Sequence, residues 1–139
     1  MLRESDVVSS VCRYLKERGY KITQELTETE KGDDIVAIAG DGRNCLIEAK
    51  GETSSKRESR KYGKAFSSSQ VGVHVAKAFY KAVEMSERNS RMCKVGIALP
   101  ATQEHKKRIE KIAKTLEQLS IEVFWVGRNR SVDVHGNWR

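Results

Sequence analysis

The chain lacks what would mark a membrane-spanning, secreted or zinc-stapled protein. No apolar run comes near the roughly 18 residues of a membrane span, and no signal-peptide pattern opens the sequence. Cysteine is scarce: Cys12, Cys45 and Cys93 are odd in number, far apart and without Cys-x-x-Cys spacing. Neither a disulfide framework nor a zinc site is indicated, and the expectation is three reduced thiols among apolar neighbours, as core residues of a cytoplasmic protein. Proline occurs once, at Pro100, where it stops a strand. There is no internal repeat, no glycine-rich phosphate loop, no His-Glu-x-x-His and no Gly-x-Ser-x-Gly. P-loop, zincin and α/β-hydrolase chemistries are therefore not indicated.

Positive charge is present in excess. Formal net charge is +7 and the pI about 9.4, but its distribution says more than its sum. Residues 1–50 carry 8 Lys and Arg against 10 Asp and Glu, whereas residues 51–139 carry 18 against 9. Acids come early and cations follow, an asymmetry suited to a polyanion such as nucleic acid. With 139 residues, 38% apolar and 32% charged, the expectation is one polar globule, a single domain over 1–139.

The stretch from Gly32 to Gly51 organises the rest. Two apolar runs, Ile35 to Ala39 and Cys45 to Ala49, flank Gly40-Asp41-Gly42, which reads as a β-hairpin. Asp34 opens the first run, and Glu48 and Lys50 interrupt the end of the second. Residues two apart on a strand share a face, so Glu48 and Lys50 emerge together. Charged residues are almost never fully buried unless paired, so this strand end is either an ion pair or a site.

Gly-x-Asp-Ile, an apolar strand, a turn, then Ile-Glu-Ala-Lys-Gly resembles the core motif of the PD-(D/E)XK nuclease superfamily, the restriction-endonuclease and Holliday-junction-resolvase fold. Asp34 matches the motif Asp, Glu48 the Asp/Glu and Lys50 the Lys; Asp33 stands where proline is common. The resemblance implies a Mg²⁺-dependent DNA endonuclease, with Mn²⁺ as a substitute. Asp34, Glu48 and the Ala49 backbone carbonyl would hold the metal, and Lys50 would sit beside the scissile phosphate. It also implies two further site candidates: Glu4, from the first helix, and Gln70, opening the helix after the motif. Each has a plain structural alternative, Glu4 complementing the helix dipole and Gln70 as a solvated helix end. A nuclease-fold protein that binds nucleic acid without cutting it is the alternative function.

The remaining elements follow in order. Residues 3–18 are periodic as an amphipathic helix, with Val7, Val8, Val11, Tyr14 and Leu15 on one side. Tyr20 to Leu26 alternates as a strand. Gly51 to Ser69 reads as a long surface loop whose Lys56, Arg57, Arg60, Lys61 and Lys64 suit phosphate contacts; within it, Tyr62 and Phe66 either stack on bases or anchor the loop. Gln70 to Arg88 is predicted as a helix apolar over most of its circumference, Cys93 to Leu99 as a buried strand, Gln103 to Leu119 as one amphipathic helix, Ile121 to Val126 as a strand and Ser131 to Val134 as an edge strand. Helices between late strands make parallel crossovers, so the expected fold is α/β, a mixed central sheet with helices on both faces; the resemblance implies that its core is restriction-endonuclease-like. A homodimer is expected, anchored by Phe124, Trp125 and Trp138, because one such site cuts one strand.

Overall fold

The computed structural model describes residues 1–26, 31–53, 64–88 and 93–135. Helix α1 (Glu4–Glu17) leads into strand β1 (Lys21–Glu25) and the hairpin β2 (Ile35–Ile38) and β3 (Asn44–Ala49). The long helix α2 (Ser68–Arg88), strand β4 (Cys93–Pro100), helices α3 (Gln103–Glu110) and α4 (Ala113–Gln118), and strands β5 (Ile121–Val126) and β6 (Val132–His135) complete the order.

The six strands form one sheet in sequence order. β1, β2 and β3 pair antiparallel, β3, β4 and β5 parallel, and β6 returns antiparallel on β5. Two successive crossovers stepping the same way across a sheet put their helices on the same face, because such connections are right-handed. Accordingly α2, α3 and α4 cover one face and α1 the other. The expected mixed sheet with helices on both faces is what the chain forms.

The alternation of β3 explains how this sheet divides its core. Cys45, Ile47 and Ala49 join Val7, Val11 and Leu15 of α1 on one face. Leu46 joins Val71, Val75, Ala78 and Met85 of α2 on the other. Glu48 and Lys50 share the parity of Leu46, as Asp34 shares that of Val36, so all three charged side chains fall on the α2 side. At the hairpin turn the Ala39 amide donates to the Arg43 carbonyl at 2.9 Å, and Gly42 adopts φ +87°, a conformation that side-chain-bearing residues rarely take.

Four expectations need correction. The helix over Gln103 to Leu119 is two helices, broken at Lys111 and Ile112; Ile109 and Leu116 face in, whereas Ala113 and Leu119 are exposed. Helix α2 does not bury most of its circumference: Val71, Val75, Ala78, Ala82 and Met85 are buried, but Val73 and Tyr80 are 51% and 66% exposed. The stretch after Lys50 is not all surface. Gly51, Glu52 and Thr53 are buried, Thr53 pairs with Ala65, and half-buried Phe66 is anchored edge-on to His74, ring centroids 4.4 Å apart. Finally, Phe124 is fully buried against Tyr14 and offers nothing to a dimer partner. Trp125 is half-buried, packed on the α2 side of the sheet. Lys56, Arg57, Arg60, Lys61, Tyr62 and Trp138 lie outside the described residues, and Lys64 is exposed.

Candidate active site

Antiparallel pairing of Ile35 with Ile47 sets Asp34 opposite Glu48, one step further toward the C-terminal end of β3. The Ala49 amide donates to Asp34 Oδ2 at 2.8 Å, fixing that carboxylate across the hairpin. Glu48 is 9% exposed, and Lys50 Nζ lies 3.8 Å from Glu48 Oε2, an ionic contact longer than a hydrogen bond. The hairpin therefore brings the motif trio together.

Electrostatics mark Glu48 as unusual. Burial first, then a hydrogen bond with Asp34 and the Asp34 charge, push its carboxyl up to about 9, with Glu4 adding to the rise and Lys50 opposing it. Two carboxyls this close cannot both ionise freely, so a proton or another cation must lie between them.

Glu4 thus reaches the site through its charge, and its placement has a local cause. A Cβ on Gly51 would lie 2.5 Å from the Glu4 amide nitrogen and 2.7 Å from the Arg3 carbonyl carbon, so only glycine lets the chain leaving β3 pass this close to the start of α1. Next to it, buried Glu52 accepts from the Leu2 amide at 2.9 Å and from Arg128 at 2.9 Å, while the Glu52 amide donates to the Leu2 carbonyl at 2.8 Å. Burial raises the Glu52 carboxyl, but Arg128, the Leu2 amide and the terminal amine outweigh it and hold it below the usual carboxylate range. Glu52 is the clasp that pins the N-terminal segment beside the hairpin; read from sequence, it vanished into a polar loop.

Gln70 has another task. Its Oε1 accepts from the Ser67 amide at 2.8 Å, and its own amide donates to Ser67 Oγ at 3.3 Å. This reciprocal arrangement is a capping box that opens α2, so the Gln70 side chain serves the helix end. His74 feels the charge of the motif: burial, then the charges of Lys50 and Lys77, lower its pKa and keep it neutral near pH 7.

A shallow cleft of about 510 Å³ runs from Glu48 along α2, walled by Val73, Ala76, Lys77, Tyr80 and Lys81. An α2 apolar over most of its circumference would bury Val73, Ala76 and Tyr80, which are instead exposed. The available signal was the mixed stripe at i, i+3, i+4, i+7 and i+8, which lies opposite Val71, Val75, Ala78 and Ala82 on a helical projection. Asp33, beside the motif, is held by Arg88 at 2.9 Å, with Lys81 at 3.8 Å. Among the described residues no group of three His, Cys, Asp or Glu could hold a metal ion; the donor set is the Asp34–Glu48 pair.

No family model and no curated protein matches the chain. Solved structures are more informative. An XisH family protein from Nostoc punctiforme superposes with a TM-score of 0.55 at 16% identity, aligning 94% of this chain with 95% of that one. The likeness is one of fold. An fdxN element excision controlling factor protein from Anabaena variabilis gives a TM-score of 0.50 at 17% identity, over 92% of this chain and 96% of that chain. The mixed six-stranded α/β architecture is thus shared over nearly the full length of both proteins.

Proposed function

We propose that this protein is a Mg²⁺-dependent DNA endonuclease of the PD-(D/E)XK kind, hydrolysing phosphodiester bonds at Asp34, Glu48 and Lys50. The observation that carries the reading is a buried carboxyl, Glu48, set against Asp34 and beside Lys50. It lies at the C-terminal end of β3, the end at which open α/β sheets bind ligands. An ion pair at the sheet end would contribute only about 0–1 kcal/mol if exposed, which gives no reason to bury one acid against another.

Mg²⁺ is a hard cation bound through one or two carboxylates while it keeps several waters, and Asp34 and Glu48 fit that requirement, with the Ala49 carbonyl as a further oxygen donor and Glu4 adding negative charge nearby. Bound there, such an ion would polarise a phosphoryl oxygen and lower the pKa of a water. The chain's own contribution is position and charge. The Ala49 amide fixes Asp34, Lys50 places a cation where charge develops on the scissile phosphate, and the Gly51–Glu52 clasp holds Glu4 near Glu48.

One protein of this fold is described as an excision controlling factor for the fdxN element. For this chain we infer a comparable setting, a DNA rearrangement in which strands are cut. A second reading, a nucleic-acid binder that does not cut, is favoured by the small donor set among the described residues. Plasmid, branched and single-stranded DNA incubated with Mg²⁺ or EDTA separates the two. Mg²⁺-dependent cleavage that disappears in Glu48→Gln and Lys50→Ala supports the nuclease. Wild-type rates in Glu48→Gln would remove it, and binding without cleavage selects the second reading.

A further inference from the structure

We propose that the outward wall of α2 beside Glu48 receives an unpaired nucleic-acid strand, with Tyr80 stacking on a base and Lys77 and Lys81 holding the neighbouring phosphates. The inference rests on the nuclease reading of the same site and adds to it the class of substrate.

Tyr80 is 66% exposed on a helix whose opposite face is packed into the core. Among the described residues its ring and hydroxyl have no hydrogen bond or ring contact. Val73, two turns earlier on the same stripe and 51% exposed, extends the apolar strip, and both line the cleft that Glu48 shares. Cations flank the strip. Lys77 has no ion pair among the described residues, and Lys81 has only a 3.8 Å contact with Asp33, which Arg88 already neutralises at 2.9 Å. One helical turn separates the two lysines by about 6 Å along the axis. Glu84 is the acid on this wall, beyond Lys81.

An aromatic ring between phosphate-binding cations is the recognition element of single-strand binding, because every base has a π-face. In a continuous duplex those faces are occupied by neighbouring bases, leaving Tyr80 nothing to stack on. A strand lying along α2 with one base over Tyr80 would carry its backbone toward Glu48 and Lys50. The fitting substrate is therefore single-stranded, frayed or branched DNA, with the unpaired segment on α2.

Fluorescence anisotropy in EDTA reads binding apart from cleavage, using labelled oligothymidine and a duplex of equal length. Tyr80→Ala should weaken oligothymidine binding about 10-fold and leave the duplex within about 2-fold, whereas Tyr80→Phe should bind like the wild type. Replacing Lys77 and Lys81 together by alanine should lower the log–log salt slope on the single strand by about 1.4, at roughly 0.7 per phosphate contact. Equal losses on both DNAs, no loss on either, or no nucleic-acid binding by the wild type would each overturn the proposal; in the last case a protein partner is what this face would take. Tyr80-dependent single-strand binding without cleavage in Mg²⁺ retains the proposal and removes the endonuclease. Cleavage with a Tyr80→Ala variant that binds normally does the reverse.

Discussion

Replacing Glu48 by glutamine should stabilise the metal-free protein while abolishing its chemistry. The folded state holds the Glu48 carboxyl at about 9, against 4.5 for the free side chain, chiefly through burial and then through Asp34. Between those limits the unfolded chain has released a proton that the folded chain keeps. Stability must therefore fall as pH rises through this window and level off above about 9. The limiting slope is about 1.4 kcal/mol per pH unit, so between pH 5 and 8 the wild type should lose on the order of 4 kcal/mol through this group. Glutamine has no proton to release and its amide can still donate to Asp34. Urea titrations of both proteins in EDTA at several pH values isolate the effect, because other titrating groups cancel in the difference. Because burial outranks Asp34 among the causes, Asp34→Asn should shorten the pH window over which stability falls without abolishing the fall. Mn²⁺ should raise the stability of the wild type, by about 2.7 kcal/mol at a hundred times its Kd, and leave Glu48→Gln unchanged. Parallel pH curves for wild type and Glu48→Gln would refute the reasoning, since Glu48 would then titrate as an ordinary surface acid.

Other outcomes follow from single contacts. Gly51→Ala forces a methyl against the backbone of Arg3 and Glu4; overpacking of this kind costs about 1–3 kcal/mol, read as a lowered melting temperature together with lost cleavage, and an unchanged melt would contradict the close approach. His105 is buried, its pKa lowered to about 4 mainly by desolvation. As pH falls from 6.5 toward 4 the unfolded chain protonates first, so stability drops by at most about 3 kcal/mol; an NMR titration of its ring protons showing ordinary protonation near pH 6.5 would exclude this. Neutralising Lys56, Arg57, Arg60, Lys61 and Lys64 should flatten the salt dependence of duplex binding by up to about 0.9 in slope per phosphate contact; an unchanged slope would place the duplex elsewhere.

The hairpin and its three charged residues were legible because every signal they use is local. Strand parity, a Gly-Asp-Gly turn and acids interrupting an apolar run need no knowledge of distant chain. What was hidden depends on long-range contacts. Glu52 is an ordinary polar loop residue until Leu2 and Arg128 arrive to satisfy it. Tyr80 and Val73 were masked in another way: they belong to an apolar helix by composition, although the stripe they share with Lys77 and Lys81 is a local signal against their burial. The capping role of Gln70 is visible only once Ser67 is seen to complete it. The break between α3 and α4 carries neither glycine nor proline, so no local breaker announced it.

The shape of the sheet also bears on how the molecule assembles in time. β2 and β3 meet across a short turn, an event of about 1–10 μs for a hairpin, and this alone sets Asp34 opposite Glu48. The other neighbour of β3 is β4, which arrives only after the loop and the whole of α2 have been traversed. Closing such a distant parallel pairing is intrinsically slow. The two acids therefore meet early in water and lose their solvent late, when α2 and β4 dock together. A variant that slows this docking would prolong a stage in which the hairpin exists but its carboxyls behave as ordinary surface acids.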